Sequence, residues 1–312
     1  MPDPLLYSQA MVTAALVSSM FVLAMAWLRH SLATTWPNSV CVLGIGCGLS
    51  AGYYVLSLRL GWPPVNALDR FLTVVVPSAM AIEIIAEMRR MPNWVAWLLR
   101  VSLVVAIPRI LLHGSVYLGG ADNEWTLWQA GTAMAMSSSL LAGLWLLLSW
   151  LLQRSPGDPI SFALSLSMLC AGATVMMAGY IKGGAAAFPL AASLTATAVG
   201  VCLISKRSGV PVICDGQAIL GIGVTGLFCL LFIGHFFGEL SATSALAMLL
   251  APLLSWATEI PLLQRQRPWI AGSVSLVLVT IPLVVVLAEA KSAFDRDMAP
   301  LLTQASAFLI NS

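Results

Sequence analysis

Charged residues are scarce in this chain. Only 9% of its 312 residues are Asp, Glu, Lys or Arg, whereas soluble domains carry about 25%. Hydrophobic residues make up 59%, and the mean hydropathy is +0.92. This composition excludes a water-soluble globular enzyme, and it also excludes a disordered chain, which needs low hydrophobicity. We therefore expect an integral membrane protein.

The sequence also lacks the motifs of several function classes. Its net charge is +2, from 15 basic and 13 acidic residues, which is too balanced for nucleic-acid binding. The six cysteines form no CxxC pair, so neither disulfides nor a metal site is predicted. The GxGxxG pattern at 221–226 lies inside an apolar run with no preceding strand, so no cofactor is predicted. The expected partners are the lipid bilayer and either other membrane proteins or a second copy.

The N-terminus has no basic residue before its first apolar run. A signal peptide begins with positive charge, so this segment has the opposite character. We expect the first apolar helix to remain in the mature protein.

Long apolar runs, in contrast, are plentiful. A helix needs about 20 residues to cross a bilayer, and ten runs of that order are separated by loops that hold Pro, Gly and charge. They cover residues 8–28, 39–58, 70–88, 93–112, 126–152, 159–181, 186–204, 217–237, 242–259 and 268–288. The sequence therefore predicts an all-α polytopic integral membrane protein with about ten transmembrane helices.

The distribution of basic residues predicts the orientation, because cytoplasmic loops retain Lys and Arg. The loops after odd-numbered spans hold eight basic residues, and the loops on the other side hold five. We therefore expect both termini outside the cytoplasm, in the periplasm if the protein belongs to a bacterial inner membrane.

Similar segments recur at an offset of 174 to 178 residues, which suggests an internal duplication. LeuGlyIleGly at 43–46 returns at 220–223, and ValAlaIlePro at 105–108 returns as ValThrIlePro at 279–282. Glu83 corresponds to Glu259 in this alignment. The offset moves each helix by six spans, an even number, so the two copies should insert in the same direction.

The duplication divides the chain into four parts. Residues 1–120 form the first four-helix repeat, 121–182 a connecting helical hairpin, and 183–290 the second four-helix repeat. Residues 291–312 form a C-terminal tail that suits a short interfacial helix. We thus predict two parallel four-helix repeats joined by a hairpin.

Glu83 is the most informative acidic residue, because it lies inside the third span, where an unpaired carboxylate is costly. Arg100 in the fourth span is equally far from the turn between these two helices. The two side chains should lie at the same depth and form an ion pair. A structural clamp is the favoured interpretation, and a proton or substrate relay is the alternative. The second repeat keeps Glu259 but has Leu276 in place of Arg100.

Polar residues gather at the predicted outer rim: Asp69, Arg70, Arg109, His113, Asp122, Glu124, Lys182, His235 and Glu239. A solvated rim with an aromatic belt explains them adequately. If this side holds a pocket, we expect it to be lined by Arg109, His113, His235 and Glu239. One His and one Glu four residues apart make at most half a metal site, so no metal is predicted.

Glycines recur at helical spacing in two predicted spans. Gly44, Gly48 and Gly52 are four residues apart in the second span, and Gly221 is the counterpart of Gly44 in the eighth. Small residues at this spacing let a neighbouring helix approach closely. We assign these glycines to helix packing.

Two function classes remain open. A small-solute transporter or channel-like protein is favoured by the helical repeat and by the buried acid at position 83. A non-catalytic structural or assembly subunit of an inner-membrane complex is the alternative, because few polar residues are available to line a path. An enzyme is disfavoured, because the spans hold no nucleophile with a base at comparable depth.

Overall fold

The computed structural model describes residues 4–29, 38–58, 61–87, 92–119, 125–154, 159–208, 216–259 and 268–310. Within these ranges the protein is all-helical and contains no strand. The predicted fold class is confirmed at this level.

Helices follow one another along the whole described chain, and we number them in order. They are α1 (Pro4–Arg29), α2 (Asn38–Val55), α3 (Ala67–Arg70), α4 (Val76–Ala86), α5 (Asn93–Leu112), α6 (Val116–Gly119), α7 (Leu127–Arg154), α8 (Pro159–Met177), α9 (Ile181–Ser208), α10 (Gln217–Phe237), α11 (Ala242–Leu250) and α12 (Pro268–Ile310). A π-helical turn at Phe71–Val75 joins α3 to α4, and a 3₁₀ helix at Ala251–Glu259 continues α11.

Seven helices in the described part of the chain are long and apolar enough to cross a membrane. These segments are Pro4–Leu28, Trp94–Leu112, Trp128–Arg154, Ile160–Met177, Ile181–Ile204, Gln217–Phe237 and Ile270–Arg296. The protein therefore has the helices of a multi-pass membrane protein. Which membrane it occupies, and on which side each terminus lies, stay predictions.

The other three predicted spans are also helical, but they are shorter or irregular. Helix α2 has 18 residues, the third span contains the π-helical turn, and the ninth changes from α to 3₁₀ helix at Ala251. Pro252 accounts for that change, because it lacks the N–H that would continue the α-helical ladder. The count of ten spans stays a prediction.

Helix α10 forms the centre of the bundle. Every residue from Ala218 to Gly234 is buried, and α10 contacts α2, α4, α5, α7, α8, α9 and α11. A helix that is apolar on all sides needs neighbours on all sides to be shielded. Helix α1, in contrast, is mostly exposed and packs on α2 and α9.

Two predictions about chain organisation remain without confirmation. Helix α12 runs without interruption for 43 residues, about 65 Å, so residues 291–310 continue the last span. Contacts inside the two predicted repeats correspond, such as α1 with α2 and α9 with α10, but α2 packs on α9 whereas α1 makes no comparable contact with α10 in the described chain. The duplication and its boundaries at 120, 182 and 290 stay predictions.

Candidate functional site

Glu83 and Arg100 meet inside the helix bundle. Arg100 Nη2 lies 2.7 Å from Glu83 Oε2, and Arg100 Nε donates to Glu83 Oε1 at 3.0 Å. The pair is therefore bidentate, the strongest geometry for these two groups. Only 3% of the Glu83 side chain and 12% of the Arg100 side chain are exposed. The ring of Trp97 lies 5.8 Å from the guanidinium carbon and covers it further.

The central helix, α10, packs against this ion pair at Gly221. A Cβ at Gly221 would lie 2.7 Å from Glu83 Oε1 and 3.1 Å from Trp145 Cζ2. Only a residue without a side chain leaves room for both groups at that point. The indole Nε1 of Trp145 is buried and has no hydrogen-bond partner among the described residues. Gly221 thus lets α4, α5, α7 and α10 converge around one ion pair.

A cavity of 590 Å³ with polar and apolar lining residues, which we call the cup, opens at the rim where α1 begins. Its polar lining residues are Tyr7, Ser57, Asn66, Asp69, Tyr180 and Lys182. They come from the ends of α1, α2, α3 and α9, which all reach the same side of the bundle. Burial and the negative charge of Asp69 both raise the pKa of Tyr180, so this phenol stays a neutral hydrogen-bond donor.

Two helix ends shape the cup. At the end of α2, Leu58 N donates to Tyr53 O and Ser57 N donates to Tyr54 O, the hydrogen bonds of a Schellman motif. Ser57 has a φ of 50° there, in the left-handed region where glycine is usual. Helix α8 ends with the same motif, and Gly179 takes the left-handed position with a φ of 87°. The two motifs place Leu58 and Tyr180 in the lining of the cup.

A larger cavity of 1050 Å³, which we call the groove, lies beside the cup, between α2 and α4. The two cavities share Ser57, Leu58 and Leu72. The groove is mainly apolar and opens sideways from the bundle, where Tyr54 is 86% exposed. It extends along α4 as far as Met80.

Met80 lies at the inner end of the α4 side of the groove. Its methyl group occupies the space that a Cβ at Gly46 would take, so α2 and α4 touch there. Glu83 lies three residues further along α4, on the neighbouring part of the same helix face. The groove therefore ends one helical turn from the ion pair.

Two of the four residues predicted to line an outer pocket, His235 and Glu239, line different cavities, and the pocket stays a prediction. His235 lines an apolar cavity of 410 Å³ with Phe228 and Phe232, and Glu239 lines one of 250 Å³ with Glu289. Neither Arg109 nor His113 lines any of these four cavities. Their helix ends are fixed by other contacts, because the carbonyl of His113 accepts a hydrogen bond from Arg70.

The glycines predicted to serve helix packing lie at close helix contacts. A Cβ at Gly44 would lie 2.9 Å from Val22 Cγ2, and one at Gly48 would lie 2.6 Å from the carbonyl oxygen of Ala14. Gly52 faces Pro189 of α9. The stripe on α2 therefore packs against α1 and α9. Glu259, the predicted counterpart of Glu83, is the last residue of the 3₁₀ helix.

Sequence reasoning missed the cup and the groove. Asp69 and Lys182 stood out only as rim residues, and they are too far apart in the chain for any motif to join them. The positive φ of Ser57 and the π-helical turn at Phe71–Val75 likewise cannot be predicted from the pattern of hydrophobic residues. In the described chain no group of three or more His, Cys, Asp or Glu residues has the arrangement of a metal site.

Comparisons of this chain with protein-family models, with curated proteins and with solved structures find no match. The function must therefore be inferred from the site itself.

Proposed function

We propose that this protein is a transporter of a small solute, which enters through the cup and the groove. The observation that carries the proposal is a pair of adjoining cavities that share three lining residues. They lie between one rim of the bundle and Met80, one helical turn from the ion pair of Glu83 and Arg100. A cavity that is open on one side of the bundle is what alternating access requires of one of its states.

Irregular helix geometry beside the groove supports this proposal. Phe71–Val75 is π-helical, and Pro77 is the second residue of α4, which follows it. π-Helical turns are frequent at functional sites, and a proline removes a hydrogen bond that would otherwise stiffen the helix. This stretch lines the groove, so a bend here would change its width.

The ion pair would act in this scheme as the clamp that holds α4 to α5 beneath the groove. Its bidentate geometry and low exposure favour the clamp over a relay, because a relay needs a path for protons or substrate to reach the carboxylate. The flexible thioether of Met80 suits a gate above it. Opening would then separate Met80 from Gly46.

Distance measurements across the groove test the proposal. Spin labels at Ser50→Cys on α2 and Ala81→Cys on α4, with the native cysteines replaced by alanine, should give two distance populations. A control pair at Val12→Cys and Val199→Cys, on the packed helices α1 and α9, should give a single population. One narrow distance for the groove pair, under all conditions of pH and added solute, would argue against transport.

One observation favours a second function, that of a structural subunit in a membrane complex. The centre of the bundle is closely packed, and every residue from Ala218 to Gly234 is buried. A static subunit would leave the groove as the seat of a partner helix. It would show the single narrow distance described above, and it would purify in mild detergent with a partner at fixed stoichiometry.

A further inference from the structure

The cup holds two opposite charges that do not neutralise each other. Asp69 and Lys182 line the same cavity, yet among the described residues the only ion pair within 4.0 Å is that of Glu83 and Arg100. The amide of Asn66 and the phenols of Tyr7 and Tyr180 line the same cavity and offer further hydrogen-bond partners. A ligand that carries both an ammonium group and an anionic group matches this arrangement.

The groove supplies the complementary apolar surface. It is lined by apolar side chains such as Leu43, Leu72 and Val76, and it opens sideways from the bundle. From Leu43 to Tyr54 it follows α2 for about 17 Å, at a rise of about 1.5 Å per residue. One half of the hydrocarbon core of a bilayer is about 15 Å thick. The groove is therefore as long as an acyl chain in one leaflet.

We propose that the cup and the groove together bind a zwitterionic phospholipid, with its ammonium group at Asp69, its phosphate at Lys182 and an acyl chain in the groove. Binding of the lipid does not depend on the proposed function. Its movement across the bilayer rests on that function, with the lipid as the transported molecule in place of a water-soluble solute. A free amino acid would leave the groove empty, and an anionic lipid would meet the carboxylate of Asp69 without a compensating cation. A lateral opening also admits its ligand directly from the bilayer.

Lipid retention by the detergent-solubilised full chain in native mass spectrometry tests the binding step. Phosphatidylethanolamine should be retained at least tenfold more than phosphatidylglycerol with the same chains. Lys182→Gln and Ser50→Trp should each reduce retention of phosphatidylethanolamine at least tenfold, whereas Asp69→Asn should raise that of phosphatidylglycerol. Glu289→Gln is the matched control, because it removes an acid that lines a different cavity, and it should change neither value.

Equal retention of the two lipids by the unaltered chain would overturn the proposal, as would normal retention in Lys182→Gln. Lys182→Arg should keep binding and so separates loss of charge from loss of fold. Phosphoethanolamine, the head group without chains, should compete poorly; competition as strong as that of the whole lipid would reject the role of the groove. If phosphatidylethanolamine is retained but the spin labels across the groove give a single distance, transport is rejected and the lipid site is supported.

Discussion

The contact between Glu83 and Arg100 could be predicted from the sequence. The two residues lie at the same depth in a hairpin, and each charge is costly in lipid unless the other neutralises it. The sequence does not show that the missing side chain of Gly221 makes room for the carboxylate of Glu83. Asp69 and Lys182 carried no such signal, since a charge at a rim is ordinary.

Removing one partner of the pair should destabilise the protein strongly. Glu83→Gln leaves Arg100 buried without its counter-charge, which typically costs about 3 to 5 kcal/mol. Unfolding in mixed detergent and SDS micelles measures this loss. Replacing both residues with methionine should recover much of it if the pair is only a clamp. A double variant no more stable than Glu83→Gln would show that the clamp interpretation is incomplete.

Gly221→Ala should also destabilise the protein, because the new Cβ would lie 2.7 Å from Glu83 Oε1. Gly143 in α7 is the matched control, since a Cβ there meets nothing within 4 Å. Gly143→Ala should stabilise α7 by about 0.5 to 1 kcal/mol through its higher helix propensity. Thermal unfolding followed by tryptophan fluorescence compares the two variants. Equal effects of both changes would show that the contact at Gly221 is not close in solution.

At the scale of elements, the hydrophobic runs located the helices well and their ends less well. The second and sixth spans were expected to end at 58 and 181, but α2 ends at Val55 and α8 at Met177. Left-handed residues at Ser57 and Gly179 end them earlier, and apolar composition carries no information about such turns. The π-helical turn was missed for the same reason, because it changes the backbone without changing hydropathy.

The packing of α2 on α1 should depend on Gly48. A Cβ at this position would lie 2.6 Å from the backbone oxygen of Ala14, and a backbone atom cannot move aside as a side chain can. Gly48→Ala should therefore lower the thermal unfolding temperature, and Gly48→Leu should prevent stable folding. Gly131→Ala, in a position with open space around it, should leave the temperature unchanged or raise it. An unchanged temperature in Gly48→Ala would contradict the close packing.

For the whole molecule, the number of spans decides on which sides the termini lie. Ten spans place both termini on one side, whereas the seven long apolar helices alone would place them on opposite sides. A membrane-impermeant thiol reagent applied to cells that carry Asp3→Cys or Ser312→Cys, with the native cysteines removed, distinguishes the two. We expect both positions to react from outside. Protection of one of them would exclude the ten-span topology with external termini.

Solute flux tests the central claim most directly. Purified protein in liposomes should move at least one member of a panel of zwitterionic, cationic and anionic solutes, fluorescent phosphatidylethanolamine included, faster than protein-free liposomes do. Met80→Trp should abolish that flux by filling the deep end of the groove, whereas Val277→Trp, at an exposed position on α12, should not. Flux no faster than in protein-free liposomes for every member of the panel would contradict the proposed function.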